Sequence, residues 1–352
     1  MTDDEAPGED WRSVSTRAGD HLALGLARER AREPGRGREA EVPSAIPVAG
    51  WKDILWRVFW SVPQDRVVAI AGGVAFFALL AVFPGLATIV SLYGLFSDPV
   101  VIGQHLTLLS GFLPAGVLDL LDEQLVRVAK QSTGTLSSAS VVSLLIAFWS
   151  ANSGVSALFD ALNVIYKERE ARSLVRFYGT TLLFTLSAVA FTLLALAAVV
   201  VLPVVLGRIG LGSVTEVALR IARWPILLVI VSFGLSLIFR YGPSRRAAKW
   251  RWVSWGSAAS AFLWVCASAV FSWYVVSFDS YNRIYGSLGA GVAFMVWIWF
   301  SIVIVLLGAE LNAEMERQTA FDTTEGAFKP LGTREAFAAD TVGAASSESR
   351  SD

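Results

Sequence analysis

The sequence predicts an all-α, polytopic membrane protein with six transmembrane helices and both termini in the cytoplasm. Three observations carry this expectation. From Arg66 to about Asn312 the chain is apolar, broken by short polar clusters into six stretches that could each cross a bilayer. Lipid offers no partner to backbone N–H and C=O groups, so segments of this length must be helices. Charged residues make up only 17% of the chain, whereas a soluble domain carries about 25%. Finally, Lys and Arg alternate in density from one connection to the next, which fixes an orientation.

Taken in order, residues 1–50 are rich in Arg, Glu, Ala and Gly, with prolines at 7, 34, 43 and 47. Such a composition buries little apolar surface, so a disordered cytoplasmic tail is expected. Within it, Ala23 to Arg32 could form a short helix. Over 51–65, Trp51, Leu55, Val58, Phe59 and Val62 recur at helical spacing beside Trp56 and Trp60. This reads as an amphipathic helix in the membrane interface. A six-helix transmembrane domain then fills 66–316, with spans at about 67–96, 138–164, 175–206, 217–239, 252–276 and 286–311. Pro84 in the first span predicts a kink or break near Phe83, and Ala71, Gly72 and Ala75 give that span a small face for close packing. The first outer connection, at about 97–137, is long. In it Val117, Leu120, Leu121, Leu125 and Val128 line one face of an extracytoplasmic amphipathic helix. Residues 317–352 return to polar and small types and are expected to be a second disordered cytoplasmic tail.

Orientation follows from counting. The segment through Arg66 carries ten Lys and Arg, the turn at 165–176 four, the turn at 240–251 five and the C-terminal segment four; the opposite connections share six. The positive-inside rule places the richer set in the cytoplasm. Residues 1–20 include Asp3, Asp4, Glu5, Glu9 and Asp10 and contain no apolar run, so no cleavable signal peptide is expected. The single cysteine, Cys266, rules out an intrachain disulfide, and His21 and His105 are too far apart in sequence for a clustered metal site. A net charge of −1 argues against a nucleic-acid partner. Absence of HExxH, GxSxG, P-loop and CxxC patterns leaves no catalytic residues, no metal and no cofactor to assign, so the chain is not expected to be an enzyme.

Four groups of residues are candidates for function. Asn152, Ser156, Asp160 and Asn163 share one face of the second span, within about 80° of one another. A polar face inside a membrane must meet protein or water. It is therefore either the wall of a hydrophilic cavity open to the cytoplasm or a seam glued by interhelical hydrogen bonds of roughly 1 kcal/mol each. Glu310, near the inner end of the sixth span, is a gate or proton site, or else an interfacial acid paired with Arg240 or Arg172. Asp279 and Arg283 in the last outer loop could pair across a turn or form an outer gate. Arg240, Lys249 and Arg251, interleaved with Trp250 and Trp252, could hold anionic lipid headgroups or merely anchor orientation.

Three stretches together resemble the YihY/BrkB family of bacterial inner-membrane proteins. They are Ala71-Gly-Gly-Val-Ala-Phe-Phe-Ala-Leu-Leu-Ala-Val-Phe-Pro84, then Trp149-Ser-Ala-Asn-Ser-Gly-Val-Ser-Ala-Leu-Phe-Asp-Ala-Leu-Asn-Val-Ile-Tyr166, and finally Tyr281-Asn-Arg-Ile-Tyr-Gly-Ser-Leu-Gly289 with Gly308-Ala-Glu-Leu-Asn312. The resemblance covers roughly residues 50–320. It departs at Phe76-Phe77, where the family carries a pair of tyrosines. It implies six transmembrane helices with both termini inside, a bacterial inner-membrane location, and transport without a named substrate. An old family label, ribonuclease BN, finds no support in these residues, because a metal-dependent nuclease needs clustered ligands. The expected function is a secondary transporter or flippase-like exporter of an amphiphile or small organic solute, with membrane lipids as surroundings. The rival is a scaffold that organises envelope machinery through its tails and outer helix.

Overall fold

The computed structural model describes residues 24–94, 138–209, 213–277 and 287–347. Among the described residues the regular elements are helices: α1 (Val48–Gln64), α2 (Val67–Gly94), α3 (Ser138–Ile165), α4 (Leu174–Ile209), α5 (Ser213–Tyr241), α6 (Trp250–Ser277), α7 (Ser287–Glu316) and the short α8 (Phe337–Asp340). Helices α2 to α7 coincide with the six apolar stretches of the sequence. By length and composition, four segments can cross a membrane: Leu145–Ile165, Leu174–Phe191, Trp250–Tyr274 and Gly291–Glu316. A fifth arises if α1 and the first part of α2, bent by 63° at their junction, are taken together. Leu228–Tyr241 of α5 is apolar but shorter. The expected outer helix at 97–137 lies outside the described residues.

Of the kink or break expected near Phe83, the break is absent. Helix α2 runs on through Pro84, and the chain turns instead at Asp65 and Arg66, where Arg66 takes φ 50°. Such a left-handed conformation disfavours a residue with a Cβ by about 1–2 kcal/mol, so the elbow is held by what packs around it.

Helix α1 wears its amphipathicity inside out. Val48, Leu55, Phe59 and Trp60 are exposed, while Asp53, Arg57 and Ser61 are buried. An apolar outer face and a polar inner one suit a helix lying against lipid with its charges turned toward protein. Helix α7 is the hub of the bundle, packing on α1, α2, α3 and α6. Its Leu306, Ala309 and Ala313 share a buried cluster with Leu162, Tyr166 and Phe239. Against α6 the approach is so close that a Cβ on Gly256 would overlap the Gly308 carbonyl and the Asn312 side chain. Asn312 seals this crossing: its Oδ1 accepts from Gly256 N at 2.9 Å and its Nδ2 donates to Val253 O at 3.1 Å.

Both expected tails prove to be folded where they are described. Residues 24–47 and 317–347 wrap together over one end of the bundle, the end that carries the 242–249 turn. Arg38 donates to Gln318 O and Gly343 O, and Ala320 N donates back to Arg38 O at 2.7 Å. Arg334, buried to 1% exposure, donates to the carbonyls of Ala320, Phe321, Lys329 and Ala339. Thr323 O and Glu325 N pair with Lys249 N and Ala247 O, a short antiparallel stitch to the turn before α6. The reason composition misled is that this cap is ordered by guanidinium-to-carbonyl hydrogen bonds and not chiefly by apolar burial. Charged donors make such bonds worth roughly 1.5–3 kcal/mol each. Residues 1–23 and 348–352 lie outside the described residues.

Candidate functional site

Helix α3 positions the polar stripe. It packs closely on α2, where a Cβ on Gly154 would sit 3.6 Å from Ala78 N, and more lightly on α4. The four stripe residues have unlike surroundings. Asn163 is buried and fully committed: its Nδ2 donates to Glu170 Oε2 at 3.0 Å and its Oδ1 accepts from Ser244 N at 2.7 Å. It acts as a clasp between two turns. Asn152 Oδ1 lies 3.3 Å from Thr185 Oγ1, but that hydroxyl also reaches Thr181 O at 2.8 Å. With one proton to give, Thr185 favours the shorter bond and leaves the amide under-satisfied.

Ser156 Oγ is buried without a hydrogen-bond partner. Asp160 is exposed on the bundle surface, and among the described residues its carboxylate accepts no hydrogen bond. Nearest in charge are Glu170 and Arg172. Those two are bound to each other, with Arg172 Nη2 2.7 Å from Glu170 Oε2. Hydrogen bonding from Arg172 holds the Glu170 carboxyl down at about 2. Only the middle of the stripe, Asn152 to Asp160, therefore retains unspent polar capacity.

At the inner end of α7, Glu310 is 1% exposed and its Oε1 has no donor. Neither expected partner reaches it. Arg172 is spent on Glu170, and Arg240 on Glu325 and Ala248 O. Glu310 instead faces the carboxyl of Asp65 at the α1–α2 elbow. Asp65 is itself buried, ion-paired with Lys167, and its Oδ2 also lacks a donor. Lys167 ends α3 with φ 57°, so the contact is bracketed by two left-handed residues, Arg66 and Lys167.

Around this contact lies a shell of spent charge. Glu314 pairs with Arg57 and Arg317, and Arg245 pairs with Glu316 with both side chains at 0% exposure. The Arg245 guanidinium stacks 4.2 Å above the Tyr166 ring. Burial alone would lower the affinity of Arg245 for its proton, but the Glu316 carboxylate outweighs it and raises it.

Sequence reasoning singled out Glu310 but missed Asp65 and Lys167. The available signal was positional, a lone carboxylate between the interfacial helix and the first span. Of the candidate headgroup residues, Arg240 is 3% exposed and buried against Glu325, Trp250 and Tyr241, and Lys249 Nζ donates to Asp322 O at 2.6 Å. Both bind the cap, which contradicts a headgroup role for them; Arg251 alone stays exposed. Asp279 and Arg283, like His21 and His105, lie outside the described residues.

Comparison with known proteins gives a consistent result. A family model described as virulence factor BrkB matches residues 58–330. Among curated relatives, YfkH of Bacillus subtilis, named as ribonuclease-like, is 28% identical over 252 residues, covering 69% of this chain and 88% of its own. A UPF0761 membrane protein of Cronobacter sakazakii is 28% identical over 278 residues, covering 76% of this chain and 89% of its own. The UPF0761 membrane protein YihY of Escherichia coli shows the same identity and coverage. No solved structure matches.

Proposed function

This chain belongs to the virulence factor BrkB family, and from that premise we propose that it is a secondary transporter or flippase-like exporter of an amphiphile or small organic solute. Its apolar helices and its relatives, named as membrane proteins, make it a multi-pass membrane protein of the bacterial inner membrane. In the proposed topology α2 to α7 are six spans and both termini are cytoplasmic, as the distribution of Lys and Arg favours. The cap would then cover the cytoplasmic end. A reporter fused to the C-terminus should read as cytoplasmic, and a periplasmic signal would overturn this orientation.

The observation that carries the transport reading is the unspent middle of the α3 stripe. Ser156 has a buried hydroxyl without a partner, and Asp160 has an unbonded carboxylate, on a helix long enough to cross a bilayer. Lipid can satisfy neither group. A polar solute or headgroup passing along this face would satisfy both, with Asn152 above them and Asn163 fixing the inner turn. Glu310 serves as gate or proton site beside this path. Relatives contribute no substrate. The ribonuclease-like name belongs to YfkH, and among the described residues no group of three His, Cys, Asp or Glu could hold a metal ion.

Native mass spectrometry of gently solubilised wild type against an Asn152→Leu/Asp160→Asn double variant tests this reading. A defined small molecule or lipid kept by the wild type and lost by the variant supports it. Equal or no retention in both removes its basis. One observation favours the scaffold reading, namely the ordered cap built from both ends of the chain. It predicts that truncation after Arg317 abolishes the cellular function while Asp160→Asn is tolerated.

A further inference from the structure

We propose that Asp65 and Glu310 hold one proton between them, forming a proton-binding site where the α1–α2 elbow meets α7. This rests on the reading of Glu310 as a proton site and adds the second carboxylate, which lies far away in sequence. Both side chains are more than nine-tenths buried, Asp65 at 8% and Glu310 at 1%. Each presents one buried oxygen, Oδ2 of Asp65 and Oε1 of Glu310, to which nothing donates. The two carboxyls face each other. Two carboxylates in contact cannot both stay ionised, since like charges at this range repel strongly. One proton resolves this difficulty. The protonated acid donates to the carboxylate, so the pair gains one strong, charge-assisted hydrogen bond in place of repulsion.

The surroundings set the count at one. Lys167 is ion-paired with Asp65 and neutralises the single negative charge that remains. The other charged groups near the pair are already spent. From α7 itself, Glu314 is neutralised by Arg57 of α1 and by Arg317; from the turn before α6, Arg245 is bound to Glu316. Helix α3 adds Tyr166, whose ring lies under the Arg245 guanidinium and whose hydroxyl is buried. Helix α2 faces this region with Val67, Ala71 and Val74, and α6 faces α7 with Ser257 and Ser260, none of which titrates in the physiological range. Among the described residues, the cation that bears on both members of the pair is Lys167.

The location gives the proton a mechanical consequence. It lies between the α1–α2 elbow and the end of α3, and both hold a non-glycine residue at positive φ, Arg66 at 50° and Lys167 at 57°. While the proton is present, the acid–carboxylate bond ties α7 to the α1–α2 elbow. Its loss leaves two facing carboxylates, and the elbow is the part of the contact with a strained backbone to relax. Proton exchange at this site therefore latches and releases α1 against the bundle.

Infrared spectroscopy of the full-length protein in lipid vesicles at neutral pH, in H2O and in D2O, reads the proton directly. The wild type should show the carbonyl stretch of a protonated carboxylic acid, shifted in D2O, at a pH where ordinary carboxyls are ionised. Glu310→Gln should abolish the band. Asp65→Asn should shift its frequency, because the acid then donates to an amide. Absence of the band in the wild type overturns the proposal, as does a band that neither substitution moves. If Glu310→Gln does not fold, the Asp65→Asn shift decides alone. The measurement needs no substrate, so its failure leaves the transport reading standing, and failure to find a substrate leaves the band untouched.

Discussion

Replacing Arg57 with methionine keeps the stem of the side chain but removes the guanidinium that ties α1 to the cap. That guanidinium donates to Glu314 Oε2 at 2.5 Å, to Glu314 O at 3.0 Å, to Gln318 Oε1 at 2.7 Å and to Ala344 O at 2.9 Å. The Arg57 and Glu314 side chains are 6% and 3% exposed, so water cannot replace these bonds. Removing one partner of a buried ion pair costs about 3–5 kcal/mol. Glu314 keeps Arg317, at 2.5 Å, as a second cation. The loss should therefore fall at the low end, about 3 kcal/mol. Opening of the cap as a local unit breaks the bonds to Gln318 and Ala344, and a loss of about 3 kcal/mol there, in the range for two bonds from a charged donor, raises the open population roughly 150-fold, at a factor of ten per 1.4 kcal/mol.

Limited proteolysis of the detergent-solubilised protein reads this population, provided closing is faster than cleavage. Cleavage within 317–347 should accelerate roughly 150-fold in Arg57→Met. Lys329→Met is the control, because the Lys329–Glu335 pair is exposed at 33% and 72% and such pairs contribute about 0–1 kcal/mol. Acceleration of less than about 5-fold, which corresponds to about 1 kcal/mol, would refute the claim that Arg57 anchors the cap.

Three further outcomes follow from the packing and charge described above. Gly256→Ala should lower thermal stability by about 1–3 kcal/mol by forcing α6 from α7, whereas Gly72→Ala, with nothing within 4 Å of its Cβ, should be neutral or stabilising; equal midpoints would disprove the close crossing. Arg334→Ala should strip hydrogen-exchange protection from 320–340, because four backbone carbonyls lose their donor at once, and unchanged protection would show the cap is held otherwise. The Glu170 carboxyl is held at about 2 by hydrogen bonding from Arg172, below its ordinary 4.5. A depressed acid stabilises the fold above its unfolded value, and that stability is lost as pH falls through the folded one. Opening of the 167–173 turn, read as exchange relative to the intrinsic amide rate at each pH, should accordingly rise between about pH 4.5 and 2 in the wild type and be flat there in Glu170→Gln; a similar rise in both would remove Glu170 from the clasp.

The sequence by itself determined where the helices lie and which family the chain belongs to. Hydropathy is a local property, and a long apolar run admits only one backbone solution in lipid, so α2 to α7 were legible to within a few residues at most ends. The α3 stripe was legible as well, because helical periodicity places Asn152, Ser156, Asp160 and Asn163 on one face without reference to any neighbour. Tertiary structure decided what each of those residues touches: Asn163 is spent as a clasp, while Ser156 Oγ is buried without a partner and Asp160 is exposed. It also folded the tails, turned the charges of α1 inward, took Arg240 and Lys249 away from lipid, and set Asp65 against Glu310. These features share one physical cause. Arg38 and Gly343 are 305 residues apart, and Arg57 and Glu314 are 257. A polar side chain carries no local mark of the distant carbonyl or carboxylate that will satisfy it, and only the packed helices bring the two together.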